Sequence, residues 1–559
     1  MTQSEALEIL KMGHNVFLTG PAGSGKTHTL RSFIAHLKEN GVPVAITAST
    51  GIAATHLEGV TIHSWSGLGI KDSITEYDLD ILESRKYLWD RYQNTKVLII
   101  DEISMLHHFR FDLLDKLAQA FKRNNLPFGG MQVILCGDFF QLPPVSRPGE
   151  PEAHFAYHSK VWQEMNLKIC YLTEQHRQND DVFLGVLNDI RNNNVSEDTL
   201  LHLKGRYNKE AVSSVSPTKL STHNVNVDEI NNIELGKIKG EEKVFDMTSR
   251  GKANIVEALK KSCLAPERLV LKIGAKVMFV KNSFDKKYAN GTLGVVEGYS
   301  NAGLPLVKIA NGKIIEALPV SFIIEEDGKI KAEITQVPLR LAWAITVHKS
   351  QGMSLDAAEI DLSRSFTYGM GYVALSRVRS LNGLKLIGFN ANALQIHPDV
   401  LEIDRSFRQM SRDALVMLEE VGKNAILNTQ KEFLQKNGGK IKTKEQKEKE
   451  LPTHHKTKLL IIEKLPLEKI AEGRSLKAET IIDHIETLIK EKEVLDLEYL
   501  KKNAFKDSDF KKIEKAFKES LKKNGDYRLA PVKAILGSGF SYLDIRLARL
   551  FLDFTSTKH

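Results

Sequence analysis

Cysteine is nearly missing from this chain: Cys136, Cys170 and Cys263 are the only three among 559 residues, and no two share a paired spacing. That excludes a disulfide framework and argues against a zinc site. Long apolar runs are missing too. No stretch approaches the roughly 20 residues that span a bilayer as a helix, so no membrane partner is expected. The opening segment MTQSEALEIL has no basic region followed by an apolar core, is poor in arginine and carries two acids. It therefore reads as neither a secretion signal nor a transit peptide, and the expected location is the cytoplasm. Extreme charge is absent as well. A net charge of +8, with 42% hydrophobic and 26% charged residues, is an ordinary soluble globular composition. The length allows roughly three to five domains. The charge permits a nucleic-acid partner without requiring one, because positive charge holds phosphates only where it is clustered.

What is present is a set of short apolar runs that end in small or acidic residues. Val16-Phe17-Leu18 precedes Thr19-Gly20, and Val44-Ala45-Ile46-Thr47 leads into Ala48-Ser49-Thr50-Gly51. Val97 to Ile100 precedes Asp101, and Val133-Ile134-Leu135 precedes Cys136-Gly137-Asp138. Such runs predict strands buried on both faces of a parallel sheet. Helical patterns such as Thr29 to Leu37 and Phe111 to Phe121 lie between them, so an α/β doubly wound domain is expected, with ligands beyond the carboxyl ends of the strands. Residues 266–335 differ. Runs such as Lys276 to Val280 and Gly294 to Glu297 are punctuated by Asn290-Gly291, Ala302-Gly303 and Asn311-Gly312, which predicts hairpins and a small all-β barrel interrupting a second α/β domain. Beyond residue 400 the pattern turns helical and lysine-rich, and Lys436 to Lys458 reads as an exposed linker.

Gly20-Pro21-Ala22-Gly23-Ser24-Gly25-Lys26-Thr27 fits G-x-x-x-x-G-K-[ST] between a strand and a helix. Glycines let the backbone curl its N–H groups inward onto phosphate oxygens, and the helix N-terminus adds positive charge. Lys26 is expected to bridge the β and γ phosphates and Thr27 to ligate magnesium. Asp101 then holds the metal through water and Glu102 polarises the attacking water, although two acids after an apolar strand also occur as a plain strand terminus. Gln141, in Gly137 to Val145, is placed to sense a γ-phosphate, against the reading of a proline-stiffened loop. Arg377, in Tyr372 to Arg379, is a candidate arginine finger, against the reading of a solvated basic turn. Together these segments predict an NTPase.

With these motifs in order, the chain resembles the PIF-one and RecD branch of superfamily I helicases from about Gln3 to Asn390. The resemblance implies two RecA-like P-loop NTPase domains, at 1–180 and at 181–265 with 336–400, the second holding the 266–335 barrel. It implies a wedge insertion near 68–95, and a mainly helical C-terminal extension follows, with a helical, lysine-rich linker at 401–452 and a helix-turn-helix-like accessory domain at 453–559. Gln3 resembles the adenine-reading glutamine. Glu174-Gln175-His176-Arg177-Gln178 would supply a first arginine finger at Arg177, with Arg377 the second. Thr47 to Ala54 and Thr61 to Trp65 resemble DNA-contacting segments, and Thr346 to Gly352 resembles the motif that couples nucleotide to DNA. The expected DNA set is Thr50, Gly51, His63, Ser64, Trp65, Thr346, His348, Lys349 and Gln351, with Gly352 on the nucleotide side. Trp65 or Trp343 is considered as a stacking face, with a core position the equal alternative. Ser49 stands where the family pattern has proline, which is expected to loosen that turn.

The implied activity is an ATP- and magnesium-dependent 5′-to-3′ DNA helicase acting on single-stranded and forked DNA, monomeric without DNA, in repair, recombination or replication. Alternatives are an ATP-gated clamp or translocase that does not unwind, and an RNA helicase. In the extension, Leu467, Ile470 and Ala471, a turn at Gly473, then Ile481, Ile482, Ile485 and Leu488 form a helix-turn-helix pattern. It is similar to modules attached to some RecQ-type helicases. Asp483 and Glu486 on its second helix weigh against major-groove reading.

Overall fold

A computed structural model describes residues 1–69, 71–144, 146, 152–175, 180–212, 216–221, 227–283, 287–326, 329–347, 349–365, 367–440, 452–490, 495–524 and 528–552. It divides into two compact units, Met1–Ile441 and Lys442–His559. The chain is a mixed α/β protein with two parallel sheets, both in the first unit.

The first sheet has six strands in the order Val60–Thr61, Val44–Ala48, Val97–Asp101, Gln132–Cys136, Val16–Thr19, Lys168–Tyr171. Every pairing is parallel. The central strands are buried at every residue, and alternation divides their side chains between two cores. Phe17, Leu98, Ile100, Val133 and Leu135 face one layer. Val16, Leu18, Val97, Ile99, Ile134 and Cys136 face the other. A strand covered on both sides has no polar face to show, which is why these runs read as continuous apolar segments. Helix Lys26–Glu39 closes one side by burying Leu30, Phe33, Ile34 and Leu37. The 68–95 segment forms helices Glu76–Glu83 and Lys86–Asn94, which bury Leu79, Leu82, Leu88 and Tyr92.

The second parallel sheet has the order Ala344–Thr346, Thr218–Ser221, Ala358–Leu362, Leu384–Phe389. Between its first two strands in sequence lies an antiparallel region wider than 266–335. Lys243–Asp246 pairs with Arg268–Leu271, and Thr248–Gly251 pairs with Lys329–Gln336. Leu339–Leu341 pairs with Lys276–Phe279 at the edge of a five-stranded sheet. The flanking strands complete ladders that the Asn-Gly signals alone do not reveal. Gly303 and Gly312, both at positive φ, turn the hairpins around Pro305–Ile309 as expected.

The expected linker at 401–452 is corrected over most of its described part. Helices Pro398–Val421 and Lys423–Lys436 pack into the first half, with Ala414 and Leu434 joining the core beside Val16 and Leu18. Ser411 Oγ accepts the Tyr171 N–H at 3.1 Å, and Gln430 donates to the Glu8 carboxylate at 2.6 Å. Apolar anchors at helical spacing outweighed the lysine content. Residues 441–451 lie outside the described residues.

The second unit holds helices Thr453–Ile462, Leu467–Arg474, Ala478–Lys490, Glu498–Ala504, Asp507–Asn524, Leu529–Leu536 and Tyr542–Arg549. Ile461, Ile470, Ile481, Ile482, Ile485 and Leu488 form its core. Gly473 is helical, not the turn. The chain reverses at Ser475, with φ 52°. Ala478–Lys490 has Ile481, Ile482, His484, Ile485 and Leu488 buried, so one face of the helix serves packing.

Candidate nucleotide site and its arginines

Strand Val16–Thr19 delivers the glycine-rich loop to the start of helix Lys26–Glu39. Gly25 sits at φ 90°, so the backbone favours glycine, and a Cβ there would lie 2.1 Å from Gln3 Nε2 and displace that amide. Gln3 is anchored from three sides. Its N–H donates to Glu174 at 2.8 Å, its Nε2 to the Ser24 carbonyl at 3.3 Å, and its Oε1 lies 2.9 Å from His28 Nδ1. That puts Gln3 against the loop. Lys26 Nζ donates to the carbonyls of Gly20 and Pro21 at 2.8 and 3.1 Å. Burial pulls its pKa below the ordinary range, against the nearby Asp138 carboxylate.

A cavity of about 980 Å³ opens beside this loop, lined by Ala22, Gly23, Gly25, Lys26 and Thr27. Asp101, Glu102 and Gln141 line it from the same half, and Gly352 and Arg377 from the second. Asp101 closes its strand, and Glu102 follows at φ 54°, a left-handed conformation uncommon for a non-glycine residue. Ser49 bears on this turn. Its hydroxyl donates to the Glu102 carbonyl at 2.7 Å and its N–H to the Asp101 carbonyl at 3.0 Å. The expected loosening is thus corrected: Ser49 tethers the turn that carries the acids. Burial, and then the Asp101 carboxylate, push Glu102 up to about 7. Burial also raises Asp101, offset in part by Cys136 and the Glu102 N–H.

Gln141 Nε2 donates to Asp138 at 3.3 Å, which turns its Oε1 toward Arg377 Nη2 at 3.5 Å. Arg377 is 1% exposed and is fixed by the carbonyl of Val373 and the hydroxyl of Ser376. Asp138 has a partner that sequence reasoning missed. Arg191 donates to both its oxygens, at 2.9 and 2.8 Å, and stacks 3.8 Å from the Phe140 ring centre. Burial alone would raise the Asp138 pKa, but Arg191 and then Lys26 bring it below the usual carboxylate range. Tyr372 was also missed: its hydroxyl accepts from Arg191 at 3.2 Å and from the Ala22 N–H at 3.3 Å. The one signal in the sequence was an arginine beside the apolar stripe Phe183, Val186, Leu187, Ile190.

The described residues expected to hold DNA do not line this cavity, and among them Gln351 neighbours Gly352, which does. Thr50 caps the short helix Gly51–His56 after strand Val44–Ala48, and His63 and Ser64 follow Val60–Thr61. Thr346 ends its strand, and its Oγ1 accepts the Lys349 N–H at 3.1 Å. All therefore lie at carboxyl ends of strands, where ligands approach such sheets. Trp65 is corrected as a stacking face. It is 4% exposed, with its ring 4.7 Å from that of Tyr92, because the buried face of the insertion 68–95 packs over it. Gly51 serves packing: a Cβ there would lie 2.6 Å from Ser262 Cβ. Gln351 is buried, and its Nε2 has no hydrogen-bond partner among the described residues. Arg177 and His348 lie outside the described residues.

A glycine-rich loop at a helix start, two acids at the end of a strand in the same parallel sheet and an arginine entering from the half that holds the second parallel sheet define a P-loop nucleoside triphosphatase. Residues 3–199 match the model of the PIF1-like helicase family, 254–299 that of the DNA helicase Pif1 2B domain, and 453–549 that of a helix-turn-helix domain. The chain is 38% identical to the ATP-dependent DNA helicase Pif1 of Psychrobacter sp. (strain PRwf-1), covering 99% of this chain and 100% of that one. It superposes on unliganded Pif1 from Bacteroides sp. with a TM-score of 0.63 at 33% identity, over 73% of this chain and 96% of the other. It also superposes on Bacteroides Pif1 in complex with ADP-AlF3 and single-stranded DNA, with a TM-score of 0.51 at 32% identity and the same coverage. The chain belongs to the PIF1-like helicase family.

Proposed function

We propose that this chain is an ATP-dependent DNA helicase that moves 5′ to 3′ on single-stranded DNA and opens duplex ahead of it. The observation that supports the reading best is the single cavity shared by Lys26, Thr27, Asp101, Glu102 and Gln141 with Arg377 from the second sheet. Each sheet then anchors one RecA-like motor domain, and the antiparallel segment is a small β-barrel inserted in the second. ATP sits between them. The loop N–H groups and Lys26 hold its phosphates, Gln3 reads adenine, and Gln141 senses the γ-phosphate. Glu102 orients and deprotonates the attacking water, with Arg377, joined by Arg177, against the charge that develops on the transferring phosphoryl group.

A magnesium ion suits this donor set. Thr27, in the first turn of its helix, and Asp101 both line the cavity and both offer hard oxygen donors. When bound, the ion supplies positive charge to the β and γ phosphates. ATP binding would close the cleft and hydrolysis would open it, so that the two domains grip the strand alternately through Thr50, His63, Ser64, Thr346, His348 and Lys349. These are suited to phosphate contacts, consistent with a motor that tolerates any base sequence. The helix-turn-helix unit is an accessory that engages duplex or junction DNA.

Strand displacement on duplexes with a 5′ or a 3′ tail tests the reading, with wild type and Lys26→Ala side by side. Opening of the 5′-tailed substrate alone, lost in Lys26→Ala, is the expected result. Opening of the 3′-tailed substrate would reverse the direction. ATPase without displacement of either would leave a clamp or translocase, and stimulation by RNA over DNA would change the substrate. The accessory role is tested by deletion from residue 442, because helices 398–436 belong to the first unit. Unchanged affinity for forked DNA would defeat it.

A further inference from the structure

We infer that Arg191 and Tyr372 are positioning residues that lock helix Met370–Leu375, and Arg377 that follows it, to both the phosphate loop and the γ-phosphate sensor beside the first sheet. The inference rests on the ATPase reading above. Its basis is a ring of hydrogen bonds built from five side chains, none more than 6% exposed.

The ring starts at the phosphate loop, where the Ala22 N–H donates to the Tyr372 hydroxyl at 3.3 Å. The same hydroxyl accepts from Arg191 Nη1 at 3.2 Å. Arg191 Nη1 also donates to Asp138, and the Asp138 carboxylate accepts the Phe140 N–H at 3.2 Å and Gln141 Nε2 at 3.3 Å. Gln141 then presents Oε1 to Arg377. Arg377 follows helix Met370–Leu375, which carries Tyr372, and its Nε donates to the Val373 carbonyl at 3.0 Å. Tyr372 and Arg377 are thus held together by one turn of backbone, which closes the ring.

Each member constrains the next. Asp138 accepts from the Gln141 amide, so the amide points its oxygen at Arg377. A buried carboxylate keeps that orientation only while its charge is compensated, and Arg191 is the closest cation. Arg191 comes from helix Asp181–Arg191, which also packs on helix Met370–Leu375. Its planar fork reaches Asp138 and Tyr372 through Nη1 and Tyr171 through Nη2, at 3.1 Å, while its face lies on Phe140. A lysine keeps the charge but not that geometry. Movement of the phosphate loop is therefore passed first to Tyr372, and from there to Arg377 along one chain through Arg191, Asp138 and Gln141.

Tyr372→Phe removes one oxygen and leaves the ion pair, and Arg191→Lys keeps the charge and removes the fork. DNA-stimulated ATPase is expected to lose about tenfold in kcat in each, with KM for ATP within about threefold, the scale of one hydrogen bond made at the transition state. The double variant should fall little below the weaker single one, since both break one chain. Arg408→Gln, which pairs with Asp404 and shares the Tyr171 hydroxyl with Arg191 but bonds to none of the five side chains of the ring, is expected to stay near wild type. Hydrogen exchange provides a readout free of hydrolysis: peptides across 20–25, 137–141 and 370–377 should exchange faster in both variants. Wild-type kcat in Tyr372→Phe, a loss wholly in KM, additive losses in the double variant, or unchanged exchange would overturn the ring. Wild-type protein without DNA-stimulated ATPase would instead defeat the ATPase reading, and the exchange result would still decide the ring.

Discussion

Two arginine–carboxylate clusters in this chain use the same chemistry at opposite exposures. Arg191 and Asp138 are 2% and 0% exposed beside the phosphate loop. Arg546 pairs with Asp483 and Glu486 on the helical unit, where exposure is 21% for Arg546 and Glu486 and 57% for Asp483. Water screens the second cluster and not the first. The buried pair is costly to break and fixes neighbouring groups, whereas the exposed one orders little. Asp483 and Glu486 also change meaning. They look like acids unsuited to a DNA-reading helix, yet Arg546 and Arg549 from helix Tyr542–Arg549 engage them.

The comparison breaks most clearly at Asp138. Asp138→Ala leaves Arg191 buried without its counter-charge and is expected to cost about 3–5 kcal/mol, read as a lower denaturation midpoint with unchanged slope. A loss below about 1 kcal/mol would mean that water reaches the pair.

Next in size is Glu102→Gln, which keeps the shape and removes the base. ATP binding should persist while hydrolysis falls at least about a hundredfold. Near-normal turnover would remove Glu102 from that role.

Lys276 offers a smaller, pH-dependent contrast. Its Nζ donates to the Pro217 carbonyl at 2.6 Å, and burial brings its pKa down to about 7. Between that value and the ordinary 10.5, the unfolded chain holds a proton that the folded chain lacks, so stability falls as pH drops through this window and the cost is complete below about 7. Lys276→Met should therefore stabilise by on the order of 1 kcal/mol at pH 6.5, with the gain shrinking toward pH 10 in thermal melts. A gain independent of pH would assign the effect to packing alone.

The smallest effect belongs to the exposed cluster. Arg546→Ala should cost about 0.2–1 kcal/mol, less at high salt. Burial acts to raise Glu486, but hydrogen bonds from Arg546 and Arg549 hold it below the ordinary 4.5. Its contribution is thus present above pH 4.5 and lost as pH falls through the lower folded value.

The sequence by itself determined the parts whose chemistry is local. The phosphate loop, Asp101-Glu102 and Gln141 were legible because each follows a short apolar run, and a strand covered on both faces leaves its ligand groups at its carboxyl end. The hairpin glycines were legible for the same reason, since positive φ is a demand on one residue. Tertiary structure alone decided the rest. Arg191 meets Asp138 across 53 residues of chain, and nothing near either residue announces the other. Trp65 is a core residue because a later segment covers it. Ser49 holds its turn through a carbonyl on a neighbouring strand, and helices 398–436 brace the first half although their composition reads as a linker. In each case the deciding partner lies far along the chain, where residue type and spacing carry no record of the contact.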